Sequence, residues 1–198
     1  MSIHNNTIQF MLQEQNGYIT AAQATSAGIP RRCLTTMLAS GELYRVSRGI
    51  YALPEVWEDE LYFLQYRFGR GIFSHGTALF LHGLTDRTPH KYTMTFPHGY
   101  HTSGAIKQGL AVKVAASELY ALGITEVDST CGNPLKVYNA ERTLCDIVRG
   151  KNADDIQLVN GAMKTYAASK DKDIAKLLDY AQRLRVKAKI LRYMEVLL

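Results

Sequence analysis

Two groups of residues in this sequence have the types and spacing to do chemistry on a partner. The first is Arg31, Arg32, Thr35 and Thr36, two cations and two hydroxyls that share one side of a helical repeat. Arginine carries a planar fork of donors that matches guanine O6 and N7. Threonine brings a hydroxyl and a methyl that suit base edges. Arg45 and Arg48 follow in a hairpin-like stretch, where they would reach phosphate or the minor groove. The second group is histidine: His75, His82, His90, His98 and His101 crowd into one part of the chain. A zinc site needs ligands within about 2–2.3 Å of one ion. His75 and His82 stand roughly 10 Å apart along a helix. His98 and His101 have no carboxylate or cysteine at a matching spacing. The expectation is no metal and no cofactor, with His75 and His82 bonded locally and the loop histidines exposed.

Other catalytic arrangements fail on the same test. Ser74 and His75 are chain neighbours without triad spacing, and no G-x-S-x-G elbow exists. Cys145 lies in an apolar stripe with Leu144, Ile147 and Val148, which makes it core. Asp154 and Asp155 open a helix, where negative charge suits the macrodipole. Arg142 and Asp146, at i,i+4, form a structural ion pair. No phosphate-binding loop or dinucleotide fingerprint is present. No catalytic residue is expected.

The arginines and threonines need elements to hold them. Thr20 and Gln23 make a capping box ahead of a helix over 21–27, which Gly28 ends. Pro30 suits the start of a second helix over 31–40, with Leu34, Met37 and Leu38 as its apolar stripe. Gly41 stops it. Residues 43–46 and 50–53 alternate like strands around Ser47-Arg48-Gly49. Helix, turn, helix and hairpin are the parts of a winged helix-turn-helix, whose second helix enters the major groove. A first helix carrying Ile3, Ile8, Met11 and Leu12 would back this module. Trp57, Leu61, Leu64 and Phe68 predict a connecting helix over 57–70.

From Gly71 the pattern becomes mixed. Strands are expected at 72–73, 92–96, 110–114, 124–127 and 135–138. Ser74 would cap a helix running to His82, and Asn139 one running to Arg149 with Gly150 as its stop. Helices follow from Ala153, striped first by Ile156, Val159, Met163 and Tyr166, then by Ile174, Leu177, Leu178 and Leu184. Val186, Ile190, Leu191 and Met194 mark a last one. The fold class is mixed α/β (α+β): a winged helix-turn-helix over 1–56, the connector over 57–70, and an α/β domain ending in helices over 71–198. Lys176, Arg183, Arg185 and Lys187 in the final helices are either solvated surface or a secondary DNA contact.

Three blocks carry a family resemblance. GELYRVSRGIYALPE resembles the wing of AbiEi-type antitoxins of type IV toxin–antitoxin systems. FSHGTALFLHGLTDRTP resembles the start of that family's C-terminal domain, and YNAERTLCDIVRG its Glu-Arg-Thr-Leu helix. The resemblance implies an antitoxin, without a catalytic centre of its own, that opposes a nucleotidyltransferase-like toxin without a stable complex. It also implies repression of its own operon. Inverted repeats in double-stranded operator DNA are the expected partner, with Arg31, Arg32, Thr35, Thr36, Arg45 and Arg48 as contacts. Two other readings stay open: a winged-helix regulator whose C-terminal domain senses a ligand or dimerises, and a nucleic-acid-modifying enzyme.

Composition fits a binding protein. The chain has 198 residues, 46% of them hydrophobic, enough for one or two cored domains. A formal charge of +5 is compatible with a polyanionic partner. Cys33, Cys131 and Cys145 are odd in number and lack C-x-x-C spacing, as expected of reduced thiols. No apolar run nears the roughly 18 residues of a membrane span, and the start is too polar for a signal peptide. A soluble, cytoplasmic protein is the expectation, with no membrane partner.

Overall fold

The computed structural model describes residues 3–149 and 155–197. The chain divides into two units. The first runs to Arg67 and includes Asp128–Pro134; the second holds Phe68–Val127 and continues from Leu135.

The first unit begins with α1 (Ile3–Glu14) and β1 (Tyr18–Thr20). The helix-turn-helix is α2 (Ala21–Ser26) and α3 (Arg31–Ala39). Its start is fixed locally: the Thr20 side chain accepts from Gln23 N at 3.1 Å, and Gln23 Oε1 accepts from Thr20 N at 2.8 Å. Two otherwise unpaired helix-end donors are satisfied at once. Gly28, at φ +71°, turns the chain between the two helices. The wing is β2 (Tyr44–Ser47) and β3 (Ile50–Ala52), with a register shift between Arg45 and Ser47. β1 pairs antiparallel with β3, so the sheet order is β1-β3-β2. The core gathers Ile8, Leu12, Ile19, Ala24, Ile29, Leu34, Met37 and Leu43.

The connector differs from its expected span. α4 covers Glu60–Arg67, and Trp57 lies outside it, 85% exposed. Asp59 sets the start, because its Oδ1 accepts from Tyr62 N at 3.0 Å. Asp59 Oδ2 also accepts from Ser129 Oγ, and from Asn133 Nδ2 at 2.8 Å. Asn16 Nδ2 donates to Gly132 O at 2.8 Å. These bonds make the 128–134 loop part of the first unit.

The second unit holds β4 (Ile72–Phe73), α5 (His75–Leu81), β5 (Thr93–Pro97), α6 (Ser103–Lys107), β6 (Ala111–Ala115) and α7 (Ser117–Tyr120). Then come β7 (Ile124–Asp128), β8 (Pro134–Tyr138), α8 (Ala140–Ile147), α9 (Ile156–Ala168), α10 (Ile174–Arg183) and α11 (Lys187–Leu197). The sheet order is β6-β5-β4-β8-β7. β4 pairs parallel with β8 and antiparallel with β5, and β5 pairs parallel with β6. The expected mixed class stands: a winged helix-turn-helix and an α/β unit that ends in helices. Leu144, Cys145 and Ile147 of α8 pack with Val159, Met163, Leu177 and Ile190 in the main core.

Several local expectations shift. Ser74 is the N-cap of α5 by position, but its side chain makes no cap bond. Its Oγ accepts from Thr95 Oγ1 at 2.8 Å instead. α8 ends at Ile147, short of Arg149, and Ile156 is 63% exposed and so leaves its stripe. Ala153, Asp154 and the Gly150 stop lie outside the described residues.

α8 shows what the Glu-Arg-Thr-Leu block does. Asn139 caps it through Arg142 N at 3.0 Å. Glu141 accepts from Tyr166 Oη at 3.1 Å and faces Lys176 Nζ at 3.3 Å. Arg142, 1% exposed, donates Nε to Asp146 Oδ2 at 2.9 Å. Its Nη1 donates to the carbonyls of Leu119 and Leu122, and the guanidinium lies 4.3 Å from the Tyr138 ring centroid. Thr143 Oγ1 donates to Tyr138 O at 3.1 Å. A buried polar helix persists only when its groups find partners, and these do.

Candidate nucleic-acid interface

α3 has two chemically distinct sides. Leu34 and Met37 are buried, whereas Arg31, Arg32, Thr35, Thr36 and Ala39 are exposed. Thr35 and Thr36 donate their hydroxyl protons to the carbonyls of Arg31 and Arg32, at 3.3 and 3.0 Å. Those bonds fix the side chains and leave hydroxyl oxygens as acceptors. Neither arginine enters an ion pair among the described residues. Pro30 caps α3 by position with no side-chain bond, and the first turn carries no acid. The positive end of the helix dipole therefore meets no capping side chain and no first-turn acid.

The wing places its arginines at its tip and edge. Arg45 and Arg48 are exposed, and Arg45 Nε donates to Ser47 O at 3.4 Å. Gly49, at φ +82°, makes the turn, and its carbonyl accepts from Ala21 N at 2.8 Å. That bond ties the wing to the start of α2.

The first unit thus carries all six residues expected to touch DNA, exposed, on one helix and one hairpin. The four in the second unit differ among themselves. Lys176 is held by Glu141, and Arg183 Nε pairs with Asp179 at 3.0 Å. Arg185, at φ +58°, and Lys187 are exposed and enter no ion pair among the described residues.

Among the described residues, no three His, Cys, Asp or Glu side chains come together as ligands. His82 Nε2 lies 2.8 Å from Tyr138 O, 56 residues away in the chain, so its bond is tertiary and not local. His75 and Asp146 do share a cleft of about 200 Å³, with Thr95, Lys113, Arg142 and Arg149. His82 is not part of it. Burial, helped by Lys113 and Arg142, pushes the His75 imidazole down to about 4. Burial raises the Asp146 carboxyl, against the pull of Arg142. Sequence reasoning missed Thr95, Lys113 and Arg149 here, because the lining comes from β5, β6, α5, α8 and the residues just past it and shares no spacing.

The helix-turn-helix and wing together decide the family comparison. Residues 7–54 match the family described as transcriptional regulator, AbiEi antitoxin. The AbiEi-type resemblance read from the wing is borne out over that stretch. Over that stretch the match supports an antitoxin and transcriptional-regulator role. Among solved structures, the chain is similar to the RV2827C protein from Mycobacterium tuberculosis, with 13% identity and a TM-score of 0.58. That likeness covers 98% of this chain and 78% of the other, and at this identity it concerns the fold alone. No curated protein matches the chain. No helix among the described residues is long and apolar enough to cross a membrane.

Proposed function

We propose that this chain is the antitoxin of a type IV toxin–antitoxin system and represses its own operon. The observation that carries the reading is the exposed Arg31–Arg32 pair at the start of α3, in no ion pair among the described residues and inside the region that matches AbiEi regulators. Two copies, bound to an inverted repeat, would each set α3 in a major groove. Arg31, Arg32, Thr35 and Thr36 read base edges there, and Arg45 and Arg48 hold the backbone from the wing. Arg185 and Lys187, and more weakly Lys176 and Arg183, add phosphate contacts. The opposed toxin is nucleotidyltransferase-like, and protection needs no stable complex with it.

Gel-shift titration against the protein's own promoter tests the DNA half. Arg32→Ala should weaken promoter binding by about 1–3 kcal/mol and relax specificity while the protein stays folded. Promoter affinity unchanged from wild type in both Arg32→Ala and Arg48→Ala would remove the assignment of α3 as the recognition helix. Co-expression with the toxin encoded beside it tests the other half. Rescue by both wild type and Arg32→Ala is expected, because protection and repression use different surfaces. Failure of the wild type to rescue would leave a plain regulator.

A further inference from the structure

The cleft around His75 has a charge pattern that the DNA reading does not use. Its floor is buried and polar: Thr95, Arg142 and Asp146 are at most 5% exposed. Its mouth carries Lys113 from β6 and Arg149 just past α8, both exposed. Arg142 is matched by Asp146, but neither Lys113 nor Arg149 enters an ion pair among the described residues. The cleft therefore holds two positive charges in excess.

His75 adds a strained donor. It begins α5 at φ +52°, a conformation costly for a residue with a Cβ. A hydrogen-bond chain reaches it: Thr95 Oγ1 donates to Ser74 Oγ, which lies 3.2 Å from His75 Nδ1. With the Ser74 proton directed to Nδ1, the neutral ring carries its hydrogen on Nε2. That leaves an N–H donor beside two cations.

We infer that this cleft binds the phosphoryl group of a small phosphomonoester, held by Lys113, Arg149 and His75 Nε2–H. A monoester carries about −1.5 to −2 charges at neutral pH, which matches the excess. A nucleic-acid backbone diester carries only one. A cleft of about 200 Å³ lies below the roughly 300–1,000 Å³ of drug-sized sites, so the ligand is compact.

The test uses the full-length protein, inorganic phosphate and phenyl phosphate, titrated calorimetrically at constant ionic strength. Dimethyl phosphate, a monoanionic diester, is the control. Saturable one-to-one binding of the first two is expected, with dimethyl phosphate weaker by about tenfold or more. Lys113→Met and Arg149→Gln should each weaken phosphate binding by about tenfold, the scale of one charge-assisted hydrogen bond, and Lys170→Gln, at an exposed lysine outside the cleft lining and the DNA contacts, should not. Phosphate should raise the thermal midpoint of the wild type and shift the His75 ring resonances, readouts that need no variant. Absence of saturable binding overturns the proposal, as does phosphate affinity unchanged from wild type in the Lys113 and Arg149 variants. Equal affinity for the diester also overturns it. So does loss of promoter affinity in Lys113→Met without phosphate binding, which would make these cations DNA contacts.

Discussion

Replacing Arg142 with methionine should be among the most damaging single changes in the second unit. The side chain is 1% exposed and ends in an ion pair, two carbonyl bonds and a ring contact. Methionine fills much of the volume but leaves Asp146, itself 5% exposed, without its cation. Removing one partner of a buried pair costs about 3–5 kcal/mol. The freed carbonyls of Leu119 and Leu122 push the figure toward the upper end. Domain stabilities are only about 5–15 kcal/mol, so the variant should be marginal. With a urea m-value of about 2 kcal/mol/M, the midpoint should fall by roughly 2 M.

The pH dependence sharpens this test. Asp146 already has a raised carboxyl, and without Arg142 it rises further. A raised acid binds its proton more tightly in the folded state than in the unfolded one. Its penalty is then absent below the unfolded pKa of about 3.9 and grows as pH rises through the folded value. The gap between Arg142→Met and wild type should thus be smaller near pH 4.5 than at pH 7. The paired variant Arg142→Met/Asp146→Leu should recover part of the loss, since it removes the stranded charge. Urea denaturation followed by circular dichroism at both pH values decides it. A loss under about 1 kcal/mol, equal at both pH values, would refute the claim that Arg142 neutralises a buried carboxylate.

Other outcomes follow from the same geometry. Thr20→Ala should cost about 1 kcal/mol by removing the capping box at α2, read as a lower denaturation midpoint with unchanged m-value. Arg32→Ala should cost about 1–3 kcal/mol of promoter affinity and relax sequence preference, whereas Arg48→Ala should weaken all sequences alike in gel shifts. His75 has a folded value near 4, below its unfolded 6.5, so its contribution is complete above pH 6.5 and is lost as pH falls toward 4. His75→Asn, tolerant of positive φ, should lose less stability than wild type between pH 7 and 4.5; parallel losses would count against a buried neutral imidazole. Replacing Arg185 and Lys187 together with glutamine should flatten the salt dependence of promoter binding, by up to about one unit of slope for each phosphate no longer neutralised. An unchanged slope would mark them as solvated surface.

What could be read from the residues in order is what local rules decide. The capping box of Thr20 and Gln23, the turns at Gly28, Gly41 and Gly49, and the Leu34–Met37 stripe all act within a few residues. They placed α2, α3 and the wing, and with them the outward side of Arg31, Arg32, Thr35 and Thr36. The i,i+4 pair of Arg142 and Asp146 was legible for the same reason. β1 was not, because Tyr18, Ile19 and Thr20 are all buried and show no alternation, and only pairing with β3 makes them a strand. α6 and α7, at five and four residues, leave no periodicity either. Trp57 misled the start of α4, since an apolar residue at helical spacing says nothing of where the cap sits; Asp59 held that signal. The cleft of His75, Lys113, Asp146 and Arg149 belongs to tertiary structure alone. Its charges come from segments far apart in the chain, and their excess exists only once β5, β6, α5 and α8 pack. Local chemistry determined which residues face outward from the first unit; long-range packing decided which charges of the second unit share a cavity.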